Sequence, residues 1–372
     1  MTERRWAWAE IDLGAISRNV ATLKGLTKPG TLFMAVVKAD GYGHGAVPVA
    51  NAALAAGADR LGVATIAEAL ELRAAGIAAP LQLLSEPPEA SVSQVIENDL
   101  IPTVTTRSFA GALGRAATSA GTTARYHLKI DTGMNRIGVR AEEAPQFSAM
   151  LAEFSGLELE GTFTHFATAD VPGDWDVTRQ LQRFREALEG MRTERVDPGI
   201  VHAANSPATI LVPDSHFDMV RCGIAIYGLH PAATTYDKIE LAAAMSVKAR
   251  VTLVKRIGMG EGVSYGLTWQ AATQTDIATL PLGYADGVHR VLSNQMQVLG
   301  SGKRLSQVGR VCMDQFMVEV PRGVQLAQGD EVVLVGEQGS ERITMDQIAE
   351  LAGTINYEMA CAFGMRLERV YL

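Results

Sequence analysis

Thr31-Leu-Phe-Met-Ala-Val-Val37-Lys38-Ala39-Asp40-Gly41-Tyr42-Gly43-His44-Gly45 reads as a strand that ends in a lysine and runs into a glycine-rich loop. Residues 31–37 form a short apolar run, and a helical segment starts at Ala46, so Lys38 stands where a strand hands over to a βα-loop. In a barrel or a parallel sheet that end of the strand is the catalytic one. An amine held there beside an apolar strand loses proton affinity by desolvation and becomes a nucleophile toward an aldehyde. Position alone equally admits a lysine whose stem lies along the strand end while its charge reaches water.

Working outward, further strands are predicted near 60–65, 80–84, 101–104, 125–130, 158–165, 199–204 and 218–223. Helical faces lie between them: Leu13, Ile16, Val20 and Leu23, then Phe147, Met150, Leu151 and Phe154, then Leu181, Phe184 and Leu188. Eight strand–helix units predict an α/β fold with an N-terminal (β/α)8 TIM barrel over residues 12–236. Periodicity does not see closure, so an open doubly wound sheet stays possible. No G-x-G-x-x-G follows the first strand and no phosphate-loop motif occurs. After Gly228-Leu-His-Pro231 the texture changes, and residues 232–236 read as linker. Met245, Val247, Ala249, Val251 and Leu253 alternate with polar residues, which predicts a mostly β domain over 237–372. Residues 1–11 carry one more strand, Trp6–Ile11, expected to pair with that domain. Thr344-x-x-Gln347 predicts a capping box at the start of a helix carrying Ile348, Leu351 and Ile355.

Composition narrows the function classes. The chain of 372 residues carries 33 basic and 41 acidic side chains, a net charge of −8, which disfavours nucleic acid or an anionic membrane as the main partner. No apolar run approaches the roughly 20 residues of a membrane span, and the N-terminus lacks the apolar stretch of an export signal. Cys222, Cys312 and Cys361 are too scattered for a disulfide framework or a metal site, so a cytoplasmic location is expected.

The predicted strand ends gather polar groups at one mouth: Lys38, Lys129, Arg136, His165, Asn205, Ser206 and Arg221. Singly, each has a plain reading, such as a surface ion pair for a rim arginine or, for Lys129, pairing with nearby Asp131. Asn205-Ser206-Pro207 suits an anion at a helix start, and Arg221-x-Gly223-Ile224 sets an unobstructed backbone N–H beside it. A phosphate cradle near the last two strands, facing a strand-end lysine, is what pyridoxal 5'-phosphate requires.

The motifs along the chain resemble those of the alanine racemase family of fold-type III pyridoxal-phosphate enzymes, over both domains. They are Ala35-Val-Val-Lys38-Ala-Asp-Gly-Tyr42-Gly-His-Gly, His127-Leu-Lys129-Ile-Asp-Thr-Gly-Met-Asn-Arg136, His202-Ala-Ala-Asn205-Ser206 and Arg221-Cys-Gly-Ile224-Ala-Ile-Tyr227-Gly. Later come Val263-Ser-Tyr265-Gly, Gly283-Tyr-Ala-Asp286-Gly, Gly309-Arg-Val-Cys-Met313-Asp and Asn356-Tyr357-Glu. The resemblance implies interconversion of L- and D-alanine, with D-alanine supplied to peptidoglycan. It implies that Lys38 bonds the cofactor, that Tyr42 and Tyr357 bind its phosphate with Ser206, Gly223 and Ile224, and that Asn205 neighbours them. His165 would lie against the ring and Arg221 would face its nitrogen. Arg136 and Met313 would bind substrate, and Lys129 would carry a carbamate. Asp286 and Arg290 are expected at an access channel, a reading no stronger than a solvated charged loop. Tyr265 and Met313 would serve the partner's site, which makes a homodimer the expected active unit.

Racemisation removes the α-proton from one face and returns it on the other, so one base per face suffices without turning the substrate. By the resemblance, Lys38 takes the D-isomer's proton and Tyr265 the L-isomer's. A phenol is mostly protonated at neutral pH, so nearby cations must favour its ionised form. An amino-acid decarboxylase, a racemase for serine or basic amino acids, or a non-catalytic pyridoxal-phosphate binder are the competing readings. Arg221 and the Tyr265 motif weigh against the first and the last.

Overall fold

The computed structural model describes residues 5–171 and 176–372; residues 1–4, which the sequence reading joins to the β domain, and residues 172–175 lie outside that description. The described residues divide into two compact units, one of residues 15–41, 46–171 and 176–242, the other of residues 5–14, 42–45 and 243–372.

Strand β1 (Ala7–Ile11) belongs to the second unit. The first unit is built on parallel strands: β2 (Leu32–Val36), β3 (Arg60–Val63), β4 (Leu81–Leu83), β5 (Leu100–Ile101) continued by β6 (Thr103–Val104), and β7 (Ala124–Asp131) with the two-residue β8 (Val139–Arg140) beside it. Then follow β9 (Leu157–Phe163), β10 (Ile200–His202) and β11 (Met219–Cys222). The ladders run β11-β2-β3-β4-β5 and β6-β7-β9-β10. Two seams join them. Pro102 links β5 to β6, and on the other side Asp218 and Arg221 donate backbone N–H bonds of 3.0 Å to Val201 and Ala204. The ring of eight is therefore closed, and the open sheet is excluded.

Most of these strands are buried along their length, as expected where helices cover one face and the barrel interior the other; the start of β9, residues 157–160, is part-exposed. The helix Leu13–Lys24 buries Ile16, Val20 and Leu23, and Asp176–Thr193 buries Leu181, Phe184 and Leu188, both on the faces read from periodicity. The helix Ala144–Ala152 differs: it buries Ala144, Ser148 and Leu151, leaving Phe147, Met150 and Phe154 half-buried. Small residues let this helix approach its neighbours closely, and hydrophobicity counting overlooks them.

In the second unit the sheet order is β13-β14-β17-β16-β15-β18-β12-β1-β20, with β19 on β18. These are β12 (Met245–Arg250), β13 (Leu253–Ile257), β14 (Thr275–Leu280), β15 (Gln297–Gly300), β16 (Lys303–Val308), β17 (Phe316–Val320), β18 (Glu331–Gln338), β19 (Glu341–Ile343) and β20 (Glu368–Tyr371). The strand β1 pairs antiparallel with β12 and parallel with β20. Thr344 and Gln347 form the capping box, but the helix stops at Ala352 with Gly353 left-handed behind it, so Ile355 lies outside it and is exposed, as is Leu351.

Candidate active site

The segment after β2 does not form an ordinary loop. Ala39, Asp40, Gly41, Tyr42 and Gly43 all have positive φ, between 51° and 79°, a short left-handed turn in which three of five residues bear side chains. Each non-glycine residue there costs about 1–2 kcal/mol. Local bonds hold it: Gly41 N–H donates to the Val37 carbonyl at 2.9 Å, Ala46 N–H to Asp40 Oδ1 at 2.9 Å, and Ala39 N–H to Glu68 Oε1 at 2.8 Å. The second oxygen of Glu68 accepts from Ala64 and Thr65 at 2.7 and 3.1 Å, completing a capping box at the end of β3. Glu68 thus ties the lysine's turn to the next strand end. Its Thr65-x-x-Glu68 spacing was readable in the sequence; its reach to Ala39 was not.

Around the same mouth the barrel brings together Lys38, Lys129, Arg136 and Arg221, whose charges act on one another and on His165. Arg221, 3% exposed, donates to His202 Nδ1 at 3.0 Å, to the Thr164 and Ala203 carbonyls at 2.8 and 3.1 Å, and to His165 Nδ1 at 3.2 Å. Burial lowers its guanidinium to about 9, which leaves it a cation at neutral pH. Burial, joined by the charges of Arg221, Lys129, Arg136 and Lys38, holds His165 well below the usual imidazole range, so it is neutral. The buried Lys129 lies 5.3 Å from the centre of the Phe163 ring. Burial, then Arg221, Arg136 and Lys38 against the pull of Asp131, brings its amine to about 7. Lys129 and Asp131 form no ion pair. Asp131 Oδ1 instead accepts from Gly133 and Asn135 N–H, both at 3.0 Å, and shapes the loop that carries the exposed Arg136. The plain reading of Lys129 as that carboxylate's partner is corrected here.

Gln180, from the helix Asp176–Thr193, fixes two strand ends. Its amide donates to Thr132 Oγ1 and to the His165 carbonyl, both at 3.1 Å, and accepts from Ala167 N–H at 2.9 Å. Asn205 caps the helix Ser206–Leu211 through Oδ1, which accepts from Ala208 N–H at 3.2 Å. Ser206 Oγ accepts from Gly223 N–H at 2.9 Å, which brings Ser206, Gly223 and Ile224 into one buried corner as the sequence predicts.

In the second unit, the rings of Tyr42 and Tyr357 lie 6.3 Å apart. Tyr42 is buried, and burial with the charge of Cys361 pushes its phenol above the ordinary tyrosine range. Tyr265 is 72% exposed and Met313 53% exposed. Tyr265 projects from a strained hairpin: Ser264, Gly266 and Leu267 have φ of 64°, 75° and 44°. Ser264 Oγ donates to the Arg310 carbonyl at 2.7 Å and lies 3.3 Å from Cys312 Sγ, which links the Tyr265 loop to the Met313 loop. Under the hairpin, Val263 packs with Ile257, Ala271, Ile277 and Val308. Asp286 is fully buried, paired bidentately with Arg5 at 2.6 and 2.9 Å and accepting from Gly283 N–H at 3.0 Å. The solvated-loop reading of Asp286 is thereby corrected; Arg290 is exposed at the start of the turn Arg290–Leu292. Ser264 and Gln180 were missed in the sequence, since only folding shows what a lone polar side chain holds.

A closed parallel barrel with a strand-end lysine among cations, followed by a β unit presenting an exposed tyrosine, defines an enzyme of the barrel-plus-β-domain class. Family models for the alanine racemase N-terminal domain and C-terminal domain match residues 11–231 and 244–371. The chain belongs to the alanine racemase family. It is 45% identical over 368 residues to the alanine racemase of Desulfovibrio desulfuricans, covering 99% of this chain and 98% of that one. It is 47% identical over 367 residues to that of Symbiobacterium thermophilum, covering 99% and 97%. Among solved structures, the alanine racemase of Bacillus anthracis with bound L-Ala-P superposes with a TM-score of 0.93 at 40% identity, covering 100% of this chain and 96% of that one. The alanine racemase of Bartonella henselae with covalently bound pyridoxal phosphate gives 0.90 at 30% identity, covering 99% and 100%. The fold expected from the sequence, a barrel followed by a mostly β domain, is borne out, and the activity is that of an amino-acid racemase, interconverting L- and D-alanine.

Proposed function

We propose that this chain works with pyridoxal 5'-phosphate held on Lys38 and uses two bases, Lys38 and Tyr265, one on each face of the substrate. The observation that carries the cofactor assignment is the surplus of positive charge at the mouth: Lys38, Arg136 and Arg221 all act on Lys129 and His165, and Asp131 is the one opposing carboxylate among the groups acting on Lys129. Such a mouth suits a phosphate-bearing group and a substrate carboxylate. The donor set agrees. Ser206 accepts from Gly223 and keeps its own proton to give to a phosphate oxygen, and Tyr42 is a buried, protonated phenol that can do the same. The resemblance adds Tyr357, Ile224 and the neighbouring Asn205. When bound, the cofactor supplies an electron sink that acidifies the substrate's α-proton.

The chain's own residues do the rest. Arg221, a pure donor, would face the ring nitrogen and leave it unprotonated, which would limit the sink and favour proton return over side reactions. His165 stays neutral between Arg221 and the mouth. Lys129, near neutrality in its amine, is suited to carry a carbamate, whose negative charge would hold Arg136 toward the substrate carboxylate. Tyr265 and Met313, both exposed, are offered to the mouth of a second copy, which supports a homodimer with shared sites. Asp286 and Arg290 remain assigned to the access channel, Asp286 by bracing its wall. We assign the product D-alanine to peptidoglycan synthesis in the cytoplasm. Among the described residues, no helix is long and apolar enough to cross a membrane.

Borohydride treatment of the loaded protein, followed by peptide mapping, tests the cofactor assignment. The reduced pyridoxyl group is expected on Lys38 alone; a label elsewhere, or none, contradicts it.

A further inference from the structure

Arg221 poses a problem that its mouth-side contacts do not solve. All of its hydrogen-bond acceptors within the barrel are carbonyls and imidazoles, at 2.8 to 3.2 Å, and none is a carboxylate. A buried cation with no counter-charge is strongly destabilising. The interior of the barrel supplies an answer. His202, fully buried and stacked on Phe163 at 4.8 Å, places Nε2 2.7 Å from His127 Nδ1. His127, also fully buried, places Nε2 3.0 Å from Glu160 Oε2.

The direction of every link follows from chemistry. The carboxylate of Glu160 only accepts, so His127 carries its proton on Nε2 and leaves Nδ1 bare. His202 must then donate from Nε2, which leaves its own Nδ1 bare to accept from Arg221, a group that only donates. Both imidazoles are neutral, lowered chiefly by burial, with Arg221 adding to the effect. Glu160 is kept ionised: burial raises it, but hydrogen bonds from His127 and Arg60 more than reverse this and bring it to about 2. Arg60 binds it through two bonds of 2.8 and 3.1 Å, and Arg125 through one of 3.1 Å.

Two local features of β9 exist for this chain. Opposite β7, Leu159 faces Tyr126 and Gly161 faces His127, so Glu160 is an extra residue in a bulge, which re-aims its side chain toward His127 and Arg60. At Gly161 a Cβ would lie 2.6 Å from His127 Cε1 and 2.6 Å from the Ile200 carbonyl, so only glycine leaves room for the ring.

We propose that Glu160 is a positioning residue for Arg221, fixing His127 and His202 in their Nε2–H tautomers and answering the guanidinium's charge through them. The consequence for catalysis rests on the reading above, in which Arg221 faces the cofactor nitrogen; the tautomer chain itself does not.

The test is nitrogen NMR of protein labelled at histidine, first cofactor-free and then loaded. The unmodified cofactor-free protein is expected to show both His127 and His202 as single Nε2–H tautomers. In Glu160→Gln the amide can either accept from or donate to His127, so mixed tautomers are expected. In the loaded variant the visible absorbance of the cofactor should shift, and kcat should fall several-fold with KM little changed. An Nδ1 proton on His202 in the unmodified protein overturns the proposal without any variant. So does a folded Glu160→Gln whose tautomers and absorbance are those of the parent. Failure of the parent to bind cofactor, with the tautomers as expected, supports the chain and counts against the cofactor reading alone.

Discussion

At the scale of the residue, the role proposed for Arg221 is what would separate this site from one built for other pyridoxal-phosphate chemistry. It is buried, remains cationic and is hydrogen-bonded on the barrel side by His202, His165 and two carbonyls, so its orientation is set before any ligand arrives. A carboxylate at this position would hold a proton on the ring nitrogen and strengthen the electron sink. Arg221→Glu is therefore expected to let a side reaction compete, read as pyruvate released from alanine in a coupled lactate dehydrogenase assay. Racemisation without pyruvate in that variant contradicts the role given to Arg221. Its place at a strand end was legible from the Arg221-Cys-Gly-Ile224 motif. Its anchor was not, because Glu160 and Arg221 are distant in sequence and meet only through two histidines from other strands.

At the scale of the element, the turn Lys38–Tyr42 shows what glycine counting can and cannot reveal. The three glycines of the loop announce a turn, yet Ala39, Asp40 and Tyr42 are left-handed as well. No sequence rule predicts that, since the strain is balanced by Glu68 and Asp40 through bonds formed only in the fold. Gly43 is held further. Its φ is +79°, and an added Cβ would meet the Ala360 carbonyl at 2.5 Å. Gly76, at φ +83°, has nothing within 4 Å of such a Cβ. Gly76→Ala should then cost only backbone strain, about 1–2 kcal/mol. Gly43→Ala should cost more and also weaken cofactor binding, because Tyr42 adjoins it. Urea unfolding of the two variants side by side checks this, and equal losses contradict it. The same limit explains the helix Ala144–Ala152, whose buried face is marked by Ala144 and Ser148 where the apolar pattern pointed to Phe147 and Met150.

At the scale of the whole molecule, the barrel's polar interior ties stability to pH. His127, His165 and His202 all titrate below 6.5 in the fold, so between those values and 6.5 the unfolded chain binds more protons than the native one. Stability contributed by their neutral forms is complete above about pH 6.5 and is lost as the pH falls. Glu160, lowered from 4.5 to about 2, adds a second loss between those values. The urea midpoint is expected to drop steadily from about pH 7 to about pH 5, and His202→Asn should flatten that slope. A midpoint unchanged over this range contradicts it. The eight-unit barrel and the trailing β domain were legible because strand and helix periods differ. Closure was not, because the seams at Pro102 and between β10 and β11 are made of backbone bonds that leave no mark on side-chain pattern.

The two-base assignment is tested most directly by α-proton exchange in deuterated water, followed separately for each enantiomer of alanine in the Tyr265→Ala variant. Exchange from L-alanine is expected to collapse while exchange from D-alanine, served by Lys38, persists; L-alanine exchange at the parent's rate in that variant would contradict the assignment.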